Sequence, residues 1–218
     1  KIYKIIIRDG FRYTIIRIFA RILGQNLEIQ RVKDKGLNML LEKHDFRVAY
    51  GPFKGMHLNY DTWWSKNDLI TQTLGIYELH IISKIIELSN RGVNQLIDVG
   101  AADGYFCIGM TYANIYKKAY AFEIQEEGRN NIFKSAEKNK CSNRVHIFGE
   151  AAYADIQNAI SAKEPSTVLI DIEGDEYEFL DNRMLNILKN EFIICELHPW
   201  LVQSGEMKEE ELFLRASD

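Results

Sequence analysis

The sequence has no excess of positive charge, few cysteines and no long apolar run. Its formal net charge is -4, so it lacks the basic field that draws proteins to nucleic acid, and no nucleic-acid partner is expected. Cys107, Cys141 and Cys195 form no CxxC pair, which excludes a disulfide framework and a thiolate zinc site and favours a cytoplasmic location. Arg or Lys interrupts the apolar stretches well before the roughly 20 residues of a membrane span.

Positive charge is concentrated at the start of the chain. Residues 1–36 carry nine Lys or Arg against three Asp or Glu, and apolar residues recur at helical spacing between positions 15 and 23. This pattern predicts a basic amphipathic helix. Two interpretations remain open: the helix docks on an anionic membrane surface, or it packs on its own domain or on a second copy of the chain.

A second N-terminal segment precedes the core. Residues 46–64 alternate aromatic and polar residues with glycine and proline punctuation, which predicts short strands or a hairpin. Residues 67–90 have a helical apolar face, with Gly92 as a stop signal. We therefore expect a helical and hairpin extension over 1–66 and a core domain over 67–218.

From residue 95 onwards, short apolar strands alternate with helical segments. Five strands are predicted, with intervening helices over 104–117, 126–139, 154–162 and 175–189. This alternation predicts an α/β fold with a mainly parallel sheet, helices on both faces and a ligand site beyond the carboxyl ends of the strands.

Most of the chemically suggestive side chains fall at those strand ends. Several carboxylates in one crevice need a reason, such as a cationic ligand. The residues are Asp98, Glu123, Glu150, Asp171, Glu173, Glu196 and His198.

The loop after the first predicted strand, DVGAADG over 98–104, points to the kind of ligand. Its small residues allow close backbone approach, and Glu123 follows Gly104 by 19 residues, where an acid can accept ribose hydroxyls. Asp98 and Asp103 would repel the pyrophosphate of NAD, and the GxGxxG pattern is incomplete. The loop therefore favours the cationic S-adenosylmethionine over the cofactor of an NAD-linked oxidoreductase or epimerase.

These residues also resemble a known family. IDVGAADGYF at 97–106 is similar to the first motif of class I methyltransferases, which have a Rossmann-like fold, with Ala102 in place of the middle glycine. LIDIEGDEYEFL at 169–180 and IICELHPW at 193–200 resemble later motifs of FkbM-like methyltransferases, and GPFKGM and LGIYE upstream fit that family. The resemblance spans roughly residues 50–200. It implies O-methylation of a small hydroxylated acceptor such as a sugar or glycolipid.

The resemblance also implies roles for individual residues. The methionine and ribose portion of the cofactor would lie on the loop, Glu123 would bind the ribose hydroxyls, Glu150 with Ala151 the adenine edge, and Asp171 would lie near the methyl group. The loop residues are Asp98, Gly100, Ala101, Ala102, Asp103, Gly104 and Tyr105. Only about 18 residues follow Trp200, so the usual C-terminal strand hairpin is either absent or outside this sequence.

Methyl transfer to a hydroxyl needs a base near the methyl group. His198 is the first candidate because its ordinary pKa suits proton transfer near neutrality, with Glu196 orienting its ring and Glu173 as second candidate. Two alternatives stay open: a divalent metal held by these carboxylates and His198, and a binding module that keeps the fold without catalysis.

Overall fold

The computed structural model describes residues 25–160 and 165–217. The predicted basic helix around residues 15–23 lies outside them. The chain divides into two compact units after Asp45, whereas the sequence suggested a boundary after residue 66. In the first unit the described element is helix α1 (Gln25–Lys43).

The second unit contains a five-stranded, all-parallel sheet with strand order β3-β2-β1-β4-β5. The strands are β1 (Gln95–Val99), β2 (Lys118–Phe122), β3 (Val145–Phe148), β4 (Thr167–Ile170) and β5 (Phe192–Cys195). The helices are α2 (Asp68–Leu74), α3 (Leu79–Ser89), α4 (Tyr105–Tyr112), α5 (Glu126–Lys138), α6 (Tyr153–Ala159), α7 (Glu176–Phe179), α8 (Asn182–Leu188) and α9 (Gly205–Ser217). The order reverses between β1 and β4, as in doubly wound sheets.

The central strand β1 shows why helices cover both faces. Its five residues are all buried, and successive side chains of a strand point to opposite faces. Leu96 joins a core that includes Ile85 of α3, while Ile97 joins a second core that includes Leu188 of α8. The predicted Rossmann-like α/β fold is therefore confirmed.

Two predicted helices are each divided in the structure. The 67–90 helix ends at Gly75, which has a φ of 71°, and a Cβ there would lie 2.0 Å from the carbonyl oxygen of Tyr50. The left-handed conformation of Gly75 ends the helix, and only glycine fits at this position; α3 begins four residues later. The 175–189 helix is interrupted at Asp181, whose carboxylate accepts a hydrogen bond from the Met184 amide at 2.8 Å and so caps α8.

Residues 46–64 make little regular structure. They contain an isolated antiparallel bridge between Arg47 and His57 in place of the predicted strands or hairpin. The segment is held against α5, where the Asn139 side chain accepts from the His57 amide at 2.8 Å and donates to its carbonyl at 3.0 Å. This attachment carries residues 62–65 to the edge of the sheet where the site lies.

The segment after β5 turns into a 3-10 helix (Pro199–Leu201) and then α9. Leu212 of α9 is buried in the second core, and the Arg215 guanidinium donates to the carbonyl of Tyr177 at 3.0 Å. Within residues 25–160 and 165–217 the sheet has no strand beyond β5. None of the helices there is long and apolar enough to cross a membrane.

Candidate active site

A cavity of about 670 Å³ opens beyond the carboxyl ends of the strands, beside the reversal between β1 and β4. Its walls come from the segments after β1, β2, β3 and β4, from residues 62–65, and from Asp68, Gln72 and Tyr77 in and after α2. Ligands of doubly wound sheets bind at such a reversal, and small-molecule sites have volumes of this order.

The wall of this cavity is acidic. Carboxylates from eight residues line it, and the described residues of the lining include no lysine, arginine or histidine. Those eight are Asp68, Asp103, Glu123, Glu150, Asp171, Glu173, Asp175 and Glu178. A concave surface with charge of one sign concentrates ligands of the opposite sign and repels phosphates.

The loop after β1 is held in a fixed conformation. The amides of Gly100 and Ala101 both donate to the carbonyl of Phe122 at 3.0 Å. A Cβ on Gly100 would lie 1.8 Å from the backbone oxygen of Asp171, so glycine is required for the ends of β1 and β4 to meet. Ala102 has a φ of 49°, a conformation that favours glycine.

Glu123 supports the loop from the end of β2. Its two carboxylate oxygens accept from the amides of Ala102 at 2.9 Å and Gln125 at 2.7 Å, and the side chain still lines the cavity. An ionised carboxylate offers about four acceptor positions, so two remain for a ligand.

Asp103 has a role that the sequence did not indicate. Its carboxylate accepts from the Thr62 hydroxyl, the amides of Trp63 at 3.1 Å and Trp64 at 3.3 Å, and the Asn131 side chain at 2.9 Å. These bonds attach the segment that carries both tryptophans to the loop after β1, and the two rings help to line the cavity.

Asp98 lies beneath the loop and is not part of the cavity wall. It is 2% exposed, and its Oδ2 has no hydrogen-bond partner. Burial raises the pKa of Asp98 to about 7, and the charge of Asp171 adds to the increase. Asp98 can therefore act on a ligand through its charge but not through a contact.

Four residues after β4 and β5 form a group that we call the strand-end cluster: Asp171, Glu173, Glu196 and His198. His198 Nε2 lies 3.8 Å from a carboxylate oxygen of each of the other three. Asp171 and Glu173 line the cavity, whereas His198, which is 4% exposed, and Glu196, whose side chain is half exposed, are not part of its wall. The parallel strands β4 and β5 place these side chains together because their carboxyl ends share one edge.

The partner that orients His198 is Glu176, which the sequence analysis missed. The expectation was that Glu196 would orient the ring; instead Glu176 Oε1 accepts from His198 Nδ1 at 2.8 Å. Glu176 is fully buried at the start of α7 and also accepts from the amides of Gly174 and Ile172. Its position two residues after the DIEG turn at 171–174 was the available signal. The ring is thereby held with Nε2 towards the cluster.

The charges of the cluster perturb its members. Burial lowers the pKa of His198, but the hydrogen bond and charge of Glu176, with the charges of Glu173 and Asp171, outweigh burial and raise it above the ordinary value. Burial and the charge of Glu196 raise the pKa of Asp171 to about 6. Both shifts mark a site with an excess of carboxylates.

The structure separates the predicted site residues into two groups. Those that line the cavity are Gly100, Ala101, Ala102, Asp103, Tyr105, Glu123, Glu150, Ala151, Asp171 and Glu173. Those that do not are Asp98, Gly104, Glu196 and His198. Two further wall atoms, Trp63 Nε1 and Tyr105 Oη, are buried without a hydrogen-bond partner.

No family model matches the chain, and no curated protein matches it, so the FkbM-like resemblance stays a prediction. Among solved structures, a Corynebacterium diphtheriae domain provisionally assigned as a precorrin-6Y C5,15-methyltransferase has 17% identity and a TM-score of 0.44, with 65% of this chain and 77% of that chain covered. The O-methyltransferase TomG from Streptomyces achromogenes, in complex with SAM, has 14% identity and a TM-score of 0.44, with 60% and 65% covered.

A third solved structure, TrmK from M. capricolum with S-adenosylhomocysteine, has 21% identity and a TM-score of 0.34. The match covers 50% of this chain and 47% of that chain, so the chain spans about half of its length. Because all three TM-scores are below 0.5, the function has to be argued from the residues of the site.

Proposed function

We propose that this chain is an S-adenosylmethionine-dependent methyltransferase whose cofactor occupies the acidic cavity. The observation that carries the proposal is the wall of eight carboxylates without a basic side chain among its described residues. S-adenosylmethionine brings a sulfonium and an ammonium, which such a wall attracts. The pyrophosphate of NAD would meet eight carboxylates and no basic side chain among the described residues of the wall, which argues against the oxidoreductase or epimerase alternative.

Residues on the wall suit each part of this cofactor. The loop at 100–103 offers close backbone approach for the methionine portion, and the free acceptor positions of Glu123 suit the ribose hydroxyls. Glu150 and Ala151, after β3, are proposed to border the adenine, and Asp171 to lie near the transferring methyl. Asp98 would balance the positive charge from beneath the loop.

The acceptor is proposed to be a hydroxyl on a neutral small molecule, with a sugar or glycolipid as the leading class. A phosphorylated or nucleic-acid acceptor would be repelled by the same wall. The acceptor oxygen attacks the methyl carbon in line, the bond from that carbon to sulfur breaks, and its electron pair stays on sulfur. The hydroxyl proton passes to a base.

Within the strand-end cluster, we assign the proton to Glu173. The first sequence candidate, His198, lies behind the wall, whereas Glu173 lines the cavity 3.8 Å from His198 Nε2. A base has to reach the proton it removes, so position favours Glu173. His198 and Glu196 then act on the reaction from behind it.

Turnover of labelled S-adenosylmethionine against neutral sugars, glycolipids and small alcohols tests this proposal. We expect methyl transfer to at least one hydroxylated acceptor, and Glu173→Gln should lower kcat by about 10²- to 10⁴-fold with donor affinity nearly unchanged. Donor binding without turnover on any acceptor would favour a non-catalytic binding module.

A further inference from the structure

The strand-end cluster has a feature that cofactor binding leaves unexplained. Three of its members, Asp171, Glu196 and His198, each offer one ligand atom, and these atoms lie within 4.8 Å of one another. We propose that they bind one divalent cation of the Mg²⁺ or Mn²⁺ class beside the donor cavity, with Glu176 as the residue that positions the histidine.

The distances fit a shared ion. Ligand atoms about 2.1 Å from one ion are about 3 Å apart when adjacent in an octahedron and about 4.2 Å apart when opposite. His198 Nε2 lies 3.8 Å from Asp171 Oδ1 and from Glu196 Oε1, between these limits. Side-chain adjustments of a few tenths of an ångström would close the remaining gaps around an ion.

Two atoms that face this space, one on a buried residue and one itself buried, have no hydrogen-bond partner. His198 is 4% exposed, and among the described residues nothing lies within hydrogen-bonding distance of its Nε2. Asp171 Oδ1 is buried and also has no hydrogen-bond partner. Burying such atoms unpaired is costly, and a cation would satisfy both.

The second ring nitrogen is arranged as in metal-binding histidines. Such histidines usually donate from the nitrogen that does not bind the metal to a carboxylate, which fixes the tautomer and ring orientation. His198 Nδ1 donates to the fully buried Glu176 at 2.8 Å, and Glu176 is itself fixed by the Gly174 amide at 3.0 Å. Nε2 is therefore left as an acceptor that faces the two carboxylates.

The ligand set indicates the class of cation. Two carboxylates with open positions for water suit Mg²⁺ or Mn²⁺, and the single imidazole favours Mn²⁺ of the two. If the proposed function holds, the ion would lie behind Asp171 and Glu173 and would favour loss of the acceptor's hydroxyl proton through its charge, while Glu173 takes the proton. Binding of the cation itself does not depend on that function.

Electron paramagnetic resonance of Mn²⁺ titrated into the chelator-treated full chain tests the site. We expect one bound ion, and His198→Gln or Asp171→Asn should weaken binding at least tenfold. Glu176→Gln should weaken it by about 10- to 100-fold, as loss of an outer-shell partner does. Glu137→Gln removes an exposed carboxylate of α5 that lies outside both the cluster and the cavity wall, and it should leave binding unchanged.

Calorimetry with S-adenosylhomocysteine on the same proteins shows whether each variant keeps its fold and donor site. The metal site would be overturned if the original chain bound no Mn²⁺, or if the cluster variants bound it with the same affinity as Glu137→Gln. If S-adenosylhomocysteine still binds in that case, the proposed function stands without a metal. Binding of Mn²⁺ without S-adenosylhomocysteine would keep the metal site and reject the cofactor.

Discussion

The buried Asp98 should make the stability of the unliganded chain depend on pH. Its pKa of about 7 in the fold compares with 3.8 for an ordinary Asp, so the folded chain keeps a proton that the unfolded chain releases. Between these two values the folded state binds more protons, and the free energy of unfolding falls as pH rises. The fall ends once Asp98 is ionised in both states, above about pH 7.

The size of this effect follows from the shift. Each pH unit inside the window changes the unfolding free energy by about 1.4 kcal/mol, so the decrease from about pH 5.5 to about pH 7 is about 2 kcal/mol. Asp98→Asn keeps the shape of the side chain but cannot ionise, and it should lack this decrease. The stability difference between the variant and the original chain should therefore move by about 2 kcal/mol in favour of the variant over that range.

Urea unfolding of both proteins at pH values across this range measures the difference, and groups common to both cancel. Calorimetric titration adds a second readout, because a cationic ligand favours ionised Asp98. Below pH 7, each unit by which the pH is raised should increase the affinity of the original chain for S-adenosylmethionine by up to about tenfold relative to Asp98→Asn. Parallel stability curves for the two proteins would refute the reasoning.

Two further substitutions test the local account of the loop. Ala102→Gly should raise the unfolding free energy by up to about 1 kcal/mol, because glycine adopts a φ of 49° without strain. Ala101→Gly has no positive φ to relieve and should lower the unfolding free energy. Urea unfolding measures both changes, and equal changes in the two variants would show that Ala102 is not strained. Asp103→Asn places an amide donor opposite the backbone N–H of Trp63 or Trp64 and should lower the unfolding free energy by about 1–3 kcal/mol. The tryptophan emission spectrum should also change. An unchanged spectrum and an unchanged stability would argue against this attachment.

The alternation of strands and helices was predictable because it depends on local patterns. The strands β1 and β4 are apolar and buried, and the pattern of apolar residues along the chain is enough to find them. The breaks within two helices were visible only as weak signals, Gly75 and Asp181, each in the middle of a helical pattern. Gly75 ends its helix because the backbone of Tyr50 lies against it, a contact that periodicity does not contain.

The site was predictable as a set of strand ends but not as a network. Parallel strands bring Asp171 and His198 to one edge, and this follows from topology. The attachment of Asp103 to Trp63 and the hydrogen bond of Glu176 to His198 join residues 40 and 22 positions apart. Such pairings depend on how helices and loops pack. A single sequence therefore shows where the acidic residues are, but not which of them form hydrogen bonds within the protein.

The central claim is that the acidic cavity binds S-adenosylmethionine. Gly149 on its wall is the position for a direct test, because a Cβ there meets nothing within 4 Å and a large side chain added beside the cavity is expected to block it. Calorimetric titration should show one molecule of S-adenosylhomocysteine bound to the original chain and to Gly149→Ala, none to folded Gly149→Trp, and no heat with NAD. Absence of binding to the folded original chain, or equal binding to Gly149→Trp, would contradict the account.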